Sequence, residues 1–319
     1  MIDGAAGRTA GPIVGRDTSH RSDPMREAAL LIVVVMLFAG NILVGKATAD
    51  ALAPFTLALA RSMIACLAAS LCFGAAAWRH RALFYARGVR LFVIGASGIG
   101  LFNALLYAAL HTTDTTSVAV MEAMIPVATA SVMWLFAGER LGRRAWLGVL
   151  VSAVGASVVV ARGAPWTILA DMAVGDGLML AAIGAWIVYA QLARRGLAGL
   201  PIFSTMVPLT ASAVICLLPL ALIEHAVLGM PWHGSNDALA GAAYLGLGPS
   251  FVAFIIYNRA VVSVGPTVAA ISLNGLPVVV MIGSWAWLGT SIGAAQLAGT
   301  AAVAVGVSML LAFRGPTNP

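Results

Sequence analysis

The chain has 319 residues, of which 61% are hydrophobic and only 9% are charged, and its mean hydropathy is +0.97. Soluble domains carry about 25% charged residues, so this composition excludes an ordinary soluble fold and requires the bilayer as solvent. The net charge is +6. The basic residues cluster in the loops of one membrane side, which argues against a nucleic-acid partner.

Ten apolar runs follow a polar N-terminal stretch. A helix needs about 20 apolar residues to cross a bilayer, and the runs of about that length lie near 28–46, 54–77, 91–110, 116–137, 146–161, 175–193, 204–224, 238–258, 266–288 and 293–313. Residues 1–25 are polar and of mixed charge, which predicts a disordered cytoplasmic tail, and residues 315–319 form a C-terminal tail. The sequence therefore predicts an all-α membrane protein with ten transmembrane helices.

The basic residues orient these spans. With the N-terminus inside, fifteen of the 18 Lys and Arg residues fall in cytoplasmic segments, Lys46 and Arg162 fall outside, and Arg61 lies within the second span. Because cytoplasmic loops of membrane proteins are rich in Lys and Arg, we expect both termini on the cytoplasmic side of a bacterial inner membrane.

The second half of the chain repeats the first. Residues 134–161 align with 285–312 at a shift of 151, which superimposes Gly148 on Gly299 and Gly155 on Gly306, and the same shift places Pro126 on Pro277. Fixed-period self-similarity indicates duplication. A unit of five spans is odd, so the second copy must be inverted, which is typical of transporters. The predicted units are residues 26–163 and 164–314.

Three motifs carry a family resemblance: FAGERLGRRAWLGVLVSAVGASVVV, GDGLMLAAIGAWIVYAQLARR and YNRAVVSVGPTVAAISLNGLPVVVM. In this order they resemble the drug/metabolite transporter superfamily, and specifically its ten-span EamA-type members. The resemblance implies two inverted five-helix repeats around a central cavity lined by spans 1, 3, 4, 6, 8 and 9, and transport of small metabolites, commonly amino acids, or of drugs or nucleotide sugars. Gly289-Thr290 departs from the Gly-Glu often found there, so symmetric gating is not implied.

Polar side chains recur on one helical face in five of those six spans. Polar groups are costly within lipid, so such faces are expected to point inward. The faces comprise Asn41, Gly45 and Thr48; Gly100, Asn103, Tyr107 and His111; Thr115, Glu122 and Thr129; Tyr244, Gly248 and Asn258; and Thr267 and Asn274. Span six offers Trp186, Tyr189 and Gln191. Interhelical hydrogen bonding is the alternative explanation for each face.

Glu122 is the one carboxylic acid in the run 117–136. An ionised carboxylate cannot face hydrocarbon, so Glu122 is either protonated or meets water, a cation or substrate. Three roles stay open for it: a substrate or proton site, a buried structural hydrogen bond, and a tolerated residue with no function. Pro126 and Pro277 are mid-span and are expected to act as hinges, with a simple packing kink as the alternative.

The sequence thus predicts an inner-membrane secondary transporter that exports a small polar metabolite, an amino acid or a related compound, by alternating access. The expected substrate-binding residues are Asn41, Asn103, Tyr107, Glu122, Trp186, Tyr189, Asn258 and Asn274. Efflux of lipophilic cationic drugs is the alternative, ahead of a channel or a membrane-embedded enzyme. No metal spacing, nucleophile with base or carboxylate pair occurs in a span, so we expect no catalytic residues, no metal and no cofactor. Proton coupling and oligomeric state are left open.

Overall fold

A computed structural model describes residues 24–137, 142–160, 173–228, 235–264 and 272–313. Regular structure in these residues is entirely helical. The helices of the first half are α1 Pro24–Ala47, α2 Pro54–Arg79, α3 Arg81–Ala86, α4 Gly88–Ile94, α5 Phe102–Thr112, α6 Thr115–Ala123, α7 Ile125–Ala137 and α8 Arg143–Val160. Those of the second half are α9 Val174–Gly196, α10 Ile202–Leu228, α11 Asn236–Leu247, α12 Ala253–Val264, α13 Leu276–Leu288 and α14 Ala294–Phe313.

Several helices of the bundle are long enough to cross a membrane. Among the described residues, seven helices are long and apolar enough to cross a membrane, or eight if the bent pair α6–α7 counts as one span. Two shorter apolar helices cover Leu273–Leu288 and Ala294–Met309. The all-helical membrane class is therefore confirmed, and the count of ten spans stays a prediction. Residues 266–271 of the expected ninth span, which include Thr267, lie outside the described residues.

Large apolar side chains cover the outside of the bundle. Leu71, Ile215 and Leu222 are 78%, 62% and 62% exposed. A water-soluble monomer rarely exposes contiguous apolar surface on this scale, whereas a bilayer solvates it. The interior around α1, α2, α5 and α9 is filled by closely packed aliphatic side chains, among them Ile42, Leu57, Leu106 and Met179.

Three of the helical segments depart from regular α-helix at mid-length. A π-helical turn, Gly95–Leu101, joins α4 to α5, and a second, Gly248–Val252, joins α11 to α12. The segment α6–α7 bends by 43° at Met124. Pro126 is the second residue of α7 and Pro277 the second residue of α13. Proline suits the first turn of a helix because its missing N–H has no intrahelical partner there. A hinge motion at either proline stays a prediction.

Helices α8 and α14 cross through small residues, as expected from their glycine spacing. A Cβ atom on Gly155 would lie 2.7 Å from the Gly299 carbonyl oxygen, and one on Gly306 would lie 2.6 Å from the Gly148 carbonyl oxygen. Along α8 the residue number rises from 148 to 155 while the partner number on α14 falls from 306 to 299, so the two helices are antiparallel. Absence of side chains lets the two backbones approach this closely.

Candidate functional site

A cavity of about 330 Å³ lies inside the bundle, between α1, α2, α5, α6, α7, α9, α12 and the start of α13. Small-molecule pockets are about 300–1,000 Å³, so its size suits a metabolite. Both π-helical turns contribute to the wall. The lining residues are Phe38, Asn41, Arg61, Gly98, Ile99, Phe102, Asn103, Glu122, Ala123, Ile125, Pro126, Trp186, Tyr189, Pro249, Ser250, Phe254, Tyr257, Asn258, Leu273, Asn274 and Leu276.

Most of the residues expected to bind substrate meet at this cavity. Seven of the eight line it, namely Asn41, Asn103, Glu122, Trp186, Tyr189, Asn258 and Asn274. Tyr107 does not line it: its ring is 1% exposed and lies behind Arg61, whose guanidinium carbon is 5.5 Å from the ring centroid. Pro126 lines the cavity, whereas Pro277 is buried in α13 and does not.

Arg61 is the centre of a polar cluster at one end of the cavity. Its side chain comes from α2 and is 4% exposed. Nη1 donates to Asn41 Oδ1 at 2.8 Å, to Asn103 Oδ1 at 2.6 Å and to the Tyr107 hydroxyl. Nε donates to Ser250 Oγ at 2.9 Å, and Nη2 donates to the same oxygen. The cluster therefore joins α1, α2, α5 and the second π-helical turn.

The partners of Nη1 are themselves held in place. The Tyr107 hydroxyl donates to Asn41 Oδ1 at 2.8 Å, and Asn103 Nδ2 donates to the Ile99 carbonyl at 2.9 Å. Because the Tyr107 hydroxyl and the Asn103 amide donate to these other groups, their oxygen atoms act as acceptors for Arg61. A satisfied polar network of this kind fixes the orientation of its members.

Glu122 lies on the same cavity wall, one residue before the end of α6. Its Oε2 atom is buried and has no hydrogen-bond partner among the described residues. An unpartnered buried oxygen is costly, so water, a proton or a ligand group is expected to satisfy it. A buried structural hydrogen bond, one of the three roles left open by the sequence, is not present at this atom.

Aromatic rings form a second wall of the cavity. The Trp186 ring centroid lies 5.0 Å from that of Phe102 and 4.9 Å from that of Tyr189. The Tyr189 ring fits against Gly98 in the first π-helical turn, where a Cβ atom would lie 2.3 Å from the ring. The glycine therefore makes room for an aromatic side chain beside the site.

Two asparagines of the second half also line the cavity. Asn258 Nδ2 donates to the Phe254 carbonyl at 2.7 Å, and Asn274 Nδ2 donates to Ser308 Oγ on α14 at 3.1 Å. These bonds are the interhelical and local hydrogen bonds that compete with a substrate role. Lys46 lies away from the cavity wall, and its ammonium group donates to the Leu110 carbonyl at the end of α5.

Sequence reasoning did not include Arg61 or Ser250 in the site. Arg61 was visible as a lone basic residue within a span, and a buried charge in a membrane is itself a signal of function. Ser250 carries no such signal, because serine is common in spans and its position depends on the π-helical turn.

The cavity thus presents one guanidinium and one carboxyl group to a shared space. Neither forms an ion pair with a described residue. In a site of low dielectric constant, each attracts a complementary ligand charge more strongly than it would in water. Among the described residues, no group of three or more His, Cys, Asp or Glu side chains is placed to hold a metal ion.

The chain is similar to known transporter sequences over most of its length. The EamA-like transporter family matches residues 25–161 and again residues 173–312. The chain is 26% identical over 224 residues to the uncharacterized transporter YyaM of Bacillus subtilis, covering 69% of this chain and 72% of that protein. It is 25% identical over 251 residues to an uncharacterized transporter of Archaeoglobus fulgidus, covering 78% of this chain and 84% of that protein.

A solved structure has a similar fold. A protein crystal structure superimposes on the chain with a TM-score of 0.58 at 18% identity, covering 90% of this chain and 96% of that one. At this identity the likeness shows the fold alone.

Proposed function

Because the chain belongs to the EamA-like transporter family, and is a membrane transporter and not an enzyme, we propose that it is a secondary transporter that exports small polar metabolites. Amino acids or related zwitterions are the proposed substrate class. The observation that carries the proposal is the cavity wall, where the Arg61 guanidinium and the Glu122 carboxyl group face one space without an ion-pair partner among the described residues. A zwitterion supplies both missing charges.

The proposed architecture has ten spans, arranged as two inverted five-helix repeats over residues 26–163 and 164–314. Two observations support it. The family matches each half separately, and the repeat-related helices α8 and α14 cross antiparallel. The repeat shift of 151 relates the two contacts to each other. It carries Gly155 onto Gly306 and Gly299 back onto Gly148, so the Gly155–Gly299 pair maps onto the Gly306–Gly148 pair. A pseudo-twofold axis in the membrane plane produces this exchange, as in inverted-repeat transporters.

The proposed orientation places both termini in the cytoplasm of a bacterial inner membrane, as the arginine distribution predicts. On the arginine-rich side, Arg87 Nη1 donates to the Ala198 carbonyl at 2.8 Å and joins two loops. On the opposite side a hydrogen bond between Thr115 and Ser284 joins the two proposed repeats, and the Lys46 ammonium group donates to the Leu110 carbonyl within the first repeat.

Alternating access is the proposed mechanism. In this mechanism substrate enters beside Asn258 and Asn274 and contacts Glu122 at the bend between α6 and α7. The halves then rock, which breaks the hydrogen bond between Thr115 and Ser284. Glu122 contacts the substrate ammonium or carries a coupling proton. Both roles suit its Oε2 atom, which has no hydrogen-bond partner among the described residues and is therefore available to a ligand.

The test replaces Glu122 by glutamine in protein reconstituted into vesicles and measures transport of a metabolite panel at several pH values. We expect a loss of transport, or of its pH dependence, because glutamine removes the charge and the titrating proton while keeping the shape. Glu224→Gln is the matched control, since Glu224 is also buried but accepts from the Phe55 and Thr56 N–H groups outside the cavity. Wild-type rate and pH dependence in Glu122→Gln would remove this residue from the mechanism.

The second candidate is efflux of lipophilic cationic drugs. The aromatic wall of Phe102, Trp186 and Tyr189 favours it, because aromatic faces attract cations. The Arg61 guanidinium disfavours it by like-charge repulsion. Inhibition of transport by structurally unrelated cations, with no inhibition by amino acids, would favour drug efflux.

A further inference from the structure

Arg61 lines the cavity, and the two edges of its guanidinium group meet different sets of protein acceptors. Nη1 is surrounded by three oxygen acceptors of the Asn41, Asn103 and Tyr107 side chains. Among the described residues, the other edge, formed by Nε and Nη2, meets a single oxygen atom, Ser250 Oγ. The two edges are therefore unequal in the number of acceptors they meet.

The Nε–Nη2 edge is the edge that matches a carboxylate. Two parallel N–H groups bind the two oxygens of a carboxylate in a bidentate fork, which is stronger and more directional than a bond to a neutral oxygen. Here both N–H groups converge on a single hydroxyl oxygen. The Ser250 proton is itself donated to the Leu245 carbonyl at 2.6 Å, so its oxygen is held as an acceptor.

A buried guanidinium also needs a counter-charge. Arg61 is 4% exposed, and the groups that receive its hydrogen bonds are all neutral. No described carboxylate lies at ion-pair distance from it. Neutral acceptors compensate a buried charge only in part. An anion entering from the cavity would complete the compensation.

We propose that Arg61 is the carboxylate-binding residue of the transporter, and that the substrate carboxylate takes the place of the Ser250 hydroxyl on the Nε–Nη2 edge. This inference rests on the proposed function and names the group that selects its substrate. Ser250 belongs to the π-helical turn between α11 and α12, whereas Arg61 belongs to α2. Substrate binding therefore exchanges a contact between the two halves of the chain for a contact with the ligand.

The experiment measures thermal stabilisation of the purified full-length protein by the common L-amino acids and by their decarboxylated amines. A ligand that binds the folded protein raises its Tm. For the wild type we expect at least one amino acid to stabilise the protein, and its amine to bind at least tenfold more weakly. In Arg61→Lys, which keeps the charge but loses the fork, we expect the amino acid and its amine to differ less than threefold.

Two further variants keep the outcome interpretable. Ser250→Ala leaves Arg61 intact and removes the competing oxygen, so we expect the amino acid to bind more tightly by a few-fold and the amine to be unchanged. Arg79→Lys is the matched control, because Arg79 lies at the exposed end of the same helix, and it is expected to behave as the wild type.

The results separate the two proposals. If no amino acid stabilises the wild type, the proposed function fails and the inference fails with it. If amino acids bind but their amines bind equally well, or if Arg61→Lys keeps a tenfold preference for the carboxylate, the inference alone is overturned. A weaker affinity of Ser250→Ala for the amino acid would likewise overturn the displacement of Ser250.

Discussion

Replacing Gly155 by alanine is expected to destabilise the protein by about 1–3 kcal/mol, the usual cost of overpacking a tight contact. The added Cβ atom would lie 2.7 Å from the Gly299 carbonyl oxygen, 2.8 Å from Ala302 Cβ and 2.9 Å from the Val303 nitrogen. The nearest distance is 0.7 Å short of the 3.4 Å at which ordinary contact begins. Backbone atoms surround the site, so no side chain can rotate away.

The cost arises because the added methyl group would push α8 and α14 apart. A gap of about 0.5–1 Å forfeits roughly a quarter to a half of the dispersion attraction between facing atoms. Helices in lipid depend on that attraction, because burial between them gains no hydrophobic free energy. Gly306→Ala should have a similar cost, since its Cβ atom would lie 2.6 Å from the Gly148 carbonyl oxygen.

The assay is equilibrium unfolding of the purified protein in mixed detergent micelles, which gives the free energy of unfolding. Gly184→Ala is the control, because Gly184 is helical and a Cβ atom there meets nothing within 4 Å. We expect the control to be neutral or stabilised by up to about 1 kcal/mol, the helix preference of alanine over glycine. A Gly155→Ala protein as stable as this control would refute the close antiparallel crossing.

Three other changes test the surroundings of the site. Gly98→Ala should lower transport at least tenfold relative to the Gly184→Ala control, measured in vesicles, because its Cβ atom would lie 2.3 Å from the Tyr189 ring on the cavity wall. A double-mutant cycle of Thr115→Val and Ser284→Ala should give a coupling of about 0.5–1.5 kcal/mol in unfolding free energy if their hydrogen bond closes one side of the bundle. Glu224→Gln should lower the unfolding free energy by about 1 kcal/mol, because the carboxylate accepts from two N–H groups at the start of α2.

The helices could be predicted from the sequence because the length of an apolar run is a local property. The first span was expected at 28–46 and α1 covers Pro24–Ala47; the fifth was expected at 146–161 and α8 covers Arg143–Val160. The π-helical turns were not predicted. Gly95–Leu101 and Gly248–Val252 read as ordinary apolar helix, and the wider turn arises where neighbouring helices pack against it.

The site was accessible in part, because helical periodicity places polar residues on a common face. Asn103, Glu122 and Asn274, which the periodicity places on inward faces, all line one cavity. The periodicity did not separate Asn103 from Tyr107, which share a face of α5, although the cavity reaches only the first because Arg61 covers the second. Helical periodicity predicts the direction in which a side chain points, but not which residue of another helix packs over it.

The sequence by itself determined the membrane class and the helical composition, since both depend on composition and on apolar length within one segment, and it predicted the internal repeat and the inward direction of the polar faces. Only the tertiary structure decided what Arg61 does. Its acceptors come from positions 20, 42, 46 and 189 residues away in the chain. A buried charge takes its chemistry from the groups that surround it, and those groups meet only when four separate segments pack together.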